Sequence, residues 1–160
     1  ADVTGHQIVV FDESGRLLRR FGKRGGAPGE YNFPTHLALT PEGNIIVTDS
    51  MNFRLQVVRP DGVSLQSTGM AGSAPGRFSK PKGVAVDMAG RIIAVEGLYD
   101  AVQYFSPSGD LLLSLGNSGS GPGQFWLPAG ACIDRIQGLL FIADSYNSRV
   151  QVFHLLEEAS

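Results

Sequence analysis

Apolar residues in this chain fall in short runs of about five, separated by glycine, proline, asparagine and aspartate. Between residues 35 and 67 the runs are roughly Thr35–Leu39, Asn44–Thr48, Arg54–Val58 and Val63–Ser67. Runs of this length bounded by turn formers predict β-strands. No stretch sustains a helical period, and only the tail Leu155–Ser160 is left for a helical turn. The four runs, a to d in chain order, differ in character. Run b is continuously apolar (Ile45-Ile46-Val47, Ile92-Ile93-Ala94, Leu140-Phe141-Ile142), which predicts burial on both faces. Run c alternates, with Gln56, Gln103 and Gln151 between apolar neighbours, which predicts a half-exposed strand. Run a carries small residues on one parity: Ala38, then Gly83 and Ala85, then Gly130 and Cys132. That predicts crowded backbones and places Cys132 in the core as a small apolar side chain.

The pattern recurs. Pro28-Gly29 returns as Pro75-Gly76 and Pro122-Gly123, 47 residues apart each time. Tyr31, Phe78 and Phe125 keep that interval, as do Pro34, Pro81 and Pro128. Gly43 and Gly90 follow it, and the third copy arrives one residue late at Gly138. The inserted residue therefore lies in the turn segment Asp134–Gln137. Asp2, Phe11 and Gly15 extend the series backwards, so the chain runs through about three and a half periods. Four short strands repeating at this interval predict the blades of an all-β propeller, each a four-stranded antiparallel sheet. The expected divisions are a partial blade 1–24, blades 25–70 and 71–117, an incomplete blade 118–154 and a tail 155–160.

Composition adds three points. Much of the glycine excess, 21 in 160 residues, is explained by turns at fixed places in the repeat. A net charge of −2 does not suggest a general phosphate-binding surface. No apolar run is long enough for a helical membrane span, and one cysteine excludes a disulfide framework. The sequence contains no phosphate-cradling, haem-attachment or calcium-loop motif, so no cofactor and no metal site is expected.

Two stretches are more specific: Pro122-Gly123-Gln124-Phe125-Trp126-Leu127-Pro128, and Ile142-Ala143-Asp144-Ser145-Tyr146-Asn147-Ser148-Arg149-Val150-Gln151-Val152-Phe153. Asp49-Ser50-Met51-Asn52-Phe53-Arg54 repeats the second motif. These resemble the NHL repeats, and the resemblance covers nearly the whole chain. It implies a six-bladed β-propeller, of which thirteen strands would make about half. The open ends then call for a partner, either a second copy completing the ring or another protein, or for further blades of a longer protein of which this chain is a fragment. The resemblance is specific for fold and silent on function.

Topology sorts the loops into two ends. The d–a and b–c connections share one end and collect Tyr31, Phe33, Met51, Phe53, Lys80, Leu98, Tyr99, Trp126 and Tyr146. The a–b and c–d hairpins at the other end carry ordinary turn residues. Tyr31, Phe78 and Phe125, at a repeated position, read as plugs between blades. Phe33, Met51, Phe53, Lys80, Leu98, Tyr99, Trp126 and Tyr146 are the candidate binding face, because aromatic residues on loops favour recognition. The pairs Asp49–Arg54 and Asp144–Arg149 straddle the b–c turn and read as structural. The second copy lacks the Asn and Arg, which leaves Glu96 and Asp100 as a candidate cation site. His36 replaces a glycine on the small-residue parity and is a candidate axial ligand contact.

These features favour a non-catalytic binding or scaffold module that engages a protein through the d–a/b–c face. The alternative is part of a propeller enzyme. The resemblance includes a zinc-dependent amidating lyase with axial histidines, but His36 is this chain's only counterpart. The second alternative is RNA binding through Arg16, Arg19, Arg20, Lys23 and Arg24; as a charged outer edge these residues also discourage aggregation. A start at Ala1 suits a processed, extracytoplasmic protein, periplasmic or secreted, of a prokaryote.

Overall fold

The structure, a computed structural model, describes residues 1–155. The tail expected after the last blade lies outside the described residues, except for Leu155. Among the described residues thirteen strands form four antiparallel sheets in chain order. Strands β1 (Ile8–Phe11) and β2 (Leu17–Phe21) make a two-stranded sheet. The next sheet contains β3 (Pro34–Leu39), β4 (Ile45–Asp49), β5 (Arg54–Val58) and β6 (Ser64–Thr68). It is followed by β7 (Pro81–Val86), β8 (Ile92–Glu96), β9 (Ala101–Phe105) and β10 (Leu111–Leu115). A three-stranded sheet of β11 (Gly130–Asp134), β12 (Leu139–Asp144) and β13 (Arg149–His154) closes the run. Each strand pairs with its sequence neighbour, as meandering propeller blades require.

The blades pack in series. Ile46 and Leu55 of the first full blade meet Phe78, Val84, Ile92 and Phe105 of the second. Ile93, Val95 and Val102 on the second blade's other face meet Phe125, Leu140 and Ile142 of the third. Ile8 of the partial blade joins Tyr31, Val47 and Val58. Tyr31, Phe78 and Phe125 are fully buried in these seams. Burying one such ring is worth about 1.5–3 kcal/mol, so each plug is a large part of its seam. Each ring also lies on a glycine: a Cβ at Gly69 would come within 2.4 Å of Phe78, and one at Gly116 within 2.5 Å of Phe125. Both glycines have φ near +90°, and a Cβ is excluded there twice over, by space and by backbone conformation.

The inner strands β3, β7 and β11 approach closely. The Gly83 N–H donates to the Ala129 carbonyl at 2.8 Å, a backbone bond between blades. A Cβ at Gly83 would come within 2.6 Å of the Ala131 nitrogen, so β7 needs a glycine at this point. The inserted residue of the third copy sits in the β11–β12 turn. Asp134 accepts the N–H groups of Ile136 and Gln137 there. This turn projects Arg135 to the carbonyls of Val86 and Leu39, so one side chain links three blades.

Two expectations are corrected. Gln56 and Gln103 are buried, not half exposed, because a loop of the same blade lies over strand c. Cys132 is exposed. It sits on the face of β11–β13 turned away from the second blade, where Val150 and Val152 are also more than half exposed. The alternation predicted for strand c holds in β13, where no further blade covers that face.

Candidate functional site

The register places β3's start beside β4's end and β4's end beside β5's start, at Pro34↔Asp49↔Arg54. The d–a and b–c connections therefore share one end of each blade. At that end Asp49 is the hub. Its Oδ1 accepts the Asn32 N–H at 2.6 Å. Its Oδ2 accepts Asn52 Nδ2 and Arg54 Nε at 2.8 Å each, and Gln56 Nε2 at 3.1 Å. The Arg54 guanidinium reaches on to the carbonyls of Ala27 and Glu30. Gln56 holds the Pro-Gly loop from both sides, accepting the Gly29 N–H and donating to the Glu30 carbonyl.

The third blade repeats this clasp. Asp144 accepts the Trp126 N–H at 2.8 Å and side-chain donors from Asn147, Arg149 and Gln151. Arg149 bonds the carbonyls of Ser120, Gly121 and Gln124. Burial pushes the Asp144 carboxyl up, but these donors outweigh it and hold it below the usual 3.8. The repeated glutamine was visible as a fixed position 47 residues apart. Its partner, a backbone loop 27 residues away, was not.

The second blade is built differently, and its candidate cation site is corrected. Glu96 is buried, and its longer side chain stands in for the aspartate. It accepts the backbone N–H groups of Ser79, Lys80 and Leu98 at 2.9 to 3.0 Å. Asp100 is also buried. One oxygen accepts the Leu127 N–H of the third blade at 2.7 Å, and the other is bonded by the Ser118 hydroxyl. Each carboxylate is already taken up by donors from its own surroundings. Among the described residues no group of three or more His, Cys, Asp or Glu side chains converges.

His6 occupies the position of Asp100 in the partial blade. Its Nδ1 accepts the Phe33 N–H at 3.1 Å, and the two rings meet edge-on at 4.6 Å. Sequence reasoning missed this pairing, although His6 and Asp100 lie two 47-residue intervals apart. His36, on β3, is half-buried and hydrogen-bonded to Thr35 at 3.1 Å. Burial lowers its pKa first, and the neighbouring Lys82 lowers it further.

Phe33, Met51, Leu98, Tyr99, Trp126 and Tyr146 are all 40–65% exposed at the loop end. Their backbones are fixed: the Met51 N–H donates to Asn32 O, and the Tyr146 N–H to Trp126 O. Trp126 and Tyr146 form an aromatic pair with ring centroids 5.8 Å apart. Lys80 is exposed beside them. Phe53 is the exception. It is only partly exposed because it packs against the seam between the first two full blades, which removes it from the candidate face.

The opposite end is less plain than its turns suggested. A cavity of about 590 Å³ opens between the second and third blades there, lined by Met88, Leu112, Ile133, Arg135 and Leu155 among others.

The NHL repeat model matches residues 31–58 and 125–153, the two copies that keep the Asp–Asn–Arg clasp. The human E3 ubiquitin-protein ligase TRIM32 is 38% identical over 46 residues, which is 29% of this chain and 7% of that protein. Virginiamycin B lyase from Staphylococcus aureus superposes with a TM-score of 0.61 at 13% identity, covering 99% of this chain and 52% of the lyase. A gluconolactonase from Xanthomonas campestris gives a TM-score of 0.59 at 19% identity, covering 88% of this chain and 42% of the enzyme. The chain thus spans about half the length of the solved structures it resembles, and at these identities the likeness speaks for the fold alone. Residues 31–58 and 125–153 are thus NHL repeats, set in a chain that folds as the blades of a β-propeller.

Proposed function

We propose that the chain is a non-catalytic binding module that engages a protein partner through the d–a/b–c loop end. One observation carries this reading: six large apolar side chains stand exposed on loops whose backbones are pinned by buried clasps. Rigid, exposed aromatic groups lose little entropy on binding and suit an interface core. The test is cross-linking to partners in cell extract, comparing the chain with two variants. Tyr99→Ala/Trp126→Ala/Tyr146→Ala should lose the adducts, whereas Met88→Ser/Ile136→Ser at the opposite end should keep them. The reverse result would move the interface to the other end.

A propeller enzyme is the second reading, since this fold also carries a lyase and a gluconolactonase. It would need residues beyond His36 at the axis. Stoichiometric zinc or calcium in the purified protein would support it over the binding module.

A further inference from the structure

Between the second and third blades, at the loop end, lies a cleft of about 200 Å³. Lys80 and Lys82 form one wall, and Leu127, Pro128, Ser145 and Tyr146 form the other. No acidic side chain lines it. Among the described residues the ion pairs are made by other groups, and neither lysine's ammonium is paired with a carboxylate. The carboxylates that end β8 and β12 beside it are Glu96, whose oxygens hold the Ser79, Lys80 and Leu98 N–H groups, and Asp144, inside its clasp. Both are buried, so the charged residues of the lining are the two lysines, beside a serine and a tyrosine. Apolar Leu127 and Pro128 and the adjoining Trp126–Tyr146 pair provide a flank for aliphatic or aromatic carbon.

We propose that this cleft is a subsite for a carboxylate side chain of an acidic peptide, with an apolar neighbour of that residue resting on Tyr146 and Trp126. The proposal rests on the loop end being the recognition surface and names the chemistry recognised there. Two ammonium groups side by side suit one or two carboxylates. They do not suit a polynucleotide, whose affinity comes from many phosphate contacts. The b–c arginines Arg54 and Arg149 do not extend the patch, because they are already committed to carboxylates and to loop carbonyls.

The test is an NMR titration of the isotope-labelled 160-residue chain. The probe is an acetylated, amidated tetrapeptide of aspartate, phenylalanine, glutamate and leucine, and its neutral control is the asparagine and glutamine counterpart. The expected result is saturable shifts at Lys80, Lys82 and Tyr146 with the acidic probe at millimolar concentration and none with the control. Lys80→Gln/Lys82→Gln should weaken binding by roughly tenfold or more, the scale of losing charge-assisted contacts. Lys80→Arg/Lys82→Arg should retain it. Lys80 is exposed and Lys82 half-buried, and among the described residues neither side chain is in an ion pair, so the fold, checked by the unshifted core resonances, should survive these changes.

Equal binding of the neutral control, or unchanged affinity in the glutamine variant, overturns the carboxylate subsite while leaving the loop face as an interface. Absence of shifts with the acidic probe overturns the subsite as well. Shifts with oligouridine whose affinity falls steeply with salt would assign the lysines to RNA instead. Retention of cellular adducts by the triple loop-face variant would overturn the interface reading itself, whatever the lysines do.

Discussion

At the scale of single residues, one polar atom stands out. The Tyr31 hydroxyl is buried without a hydrogen-bond partner, and burial, with Asp49 nearby, pushes the phenol up to about 12. The other copies have phenylalanine at this position. Tyr31→Phe should therefore leave stability unchanged or raise it by up to about 1 kcal/mol, read as the midpoint of denaturant unfolding. Asp144 is the opposite case. Asp144→Ala leaves Arg149 and three further donors unanswered and should cost about 3 kcal/mol. Acid acts on two of these residues with the same sign. The depressed pKa of His36 means the unfolded chain takes up its proton first, so stability is complete above 6.5 and declines as pH falls below it. Asp144 adds its own loss as pH falls below 3.8. His36→Gln should flatten the thermal-midpoint profile between about pH 7 and 5 and leave the more acidic limb in place.

At the scale of elements, the strands follow from pattern because each is punctuated by its own turn residues, and the period exposes the insertion near Asp134. What the insertion does was not legible. Arg135 reads as one more turn residue, yet it bonds Leu39 from 96 positions away in sequence. Arg135→Ala should lower stability by about 1 kcal/mol, as loss of a partly exposed charged donor does. Gly83 was legible as a small residue. Gly83→Val should cost about 3 kcal/mol by forcing β7 from β11, a change detectable as a lower thermal midpoint. Gln56 was misread for a definite reason. An amide between apolar neighbours in an alternating strand looks solvent-facing, and only the loop folded over it shows otherwise. Glu96 and Asp100 were misread in the same way, because all but one of their partners, the Ser118 hydroxyl, are backbone N–H groups, which every sequence contains and none displays.

At the scale of the whole molecule, the fold was legible and the assembly less so. Cys132 illustrates the boundary: its strand position was clear, but its exposure depends on what stands beside the last blade. That blade presents Val150 and Val152 to solvent beside a free strand edge at β13. Such a face favours association. Light scattering should show self-association that grows with concentration and is suppressed in Val150→Lys/Val152→Lys. A monodisperse monomer at high concentration in the unaltered chain would contradict this.

The clasps also bear on synthesis. Each joins groups no more than 29 positions apart, and each blade packs on the one before it. Contacts this local are made early and quickly as a chain leaves the ribosome. A blade can lock onto its predecessor soon after its own last strand emerges, without waiting for any ring to close, so the nascent chain need not leave a long apolar stretch bare.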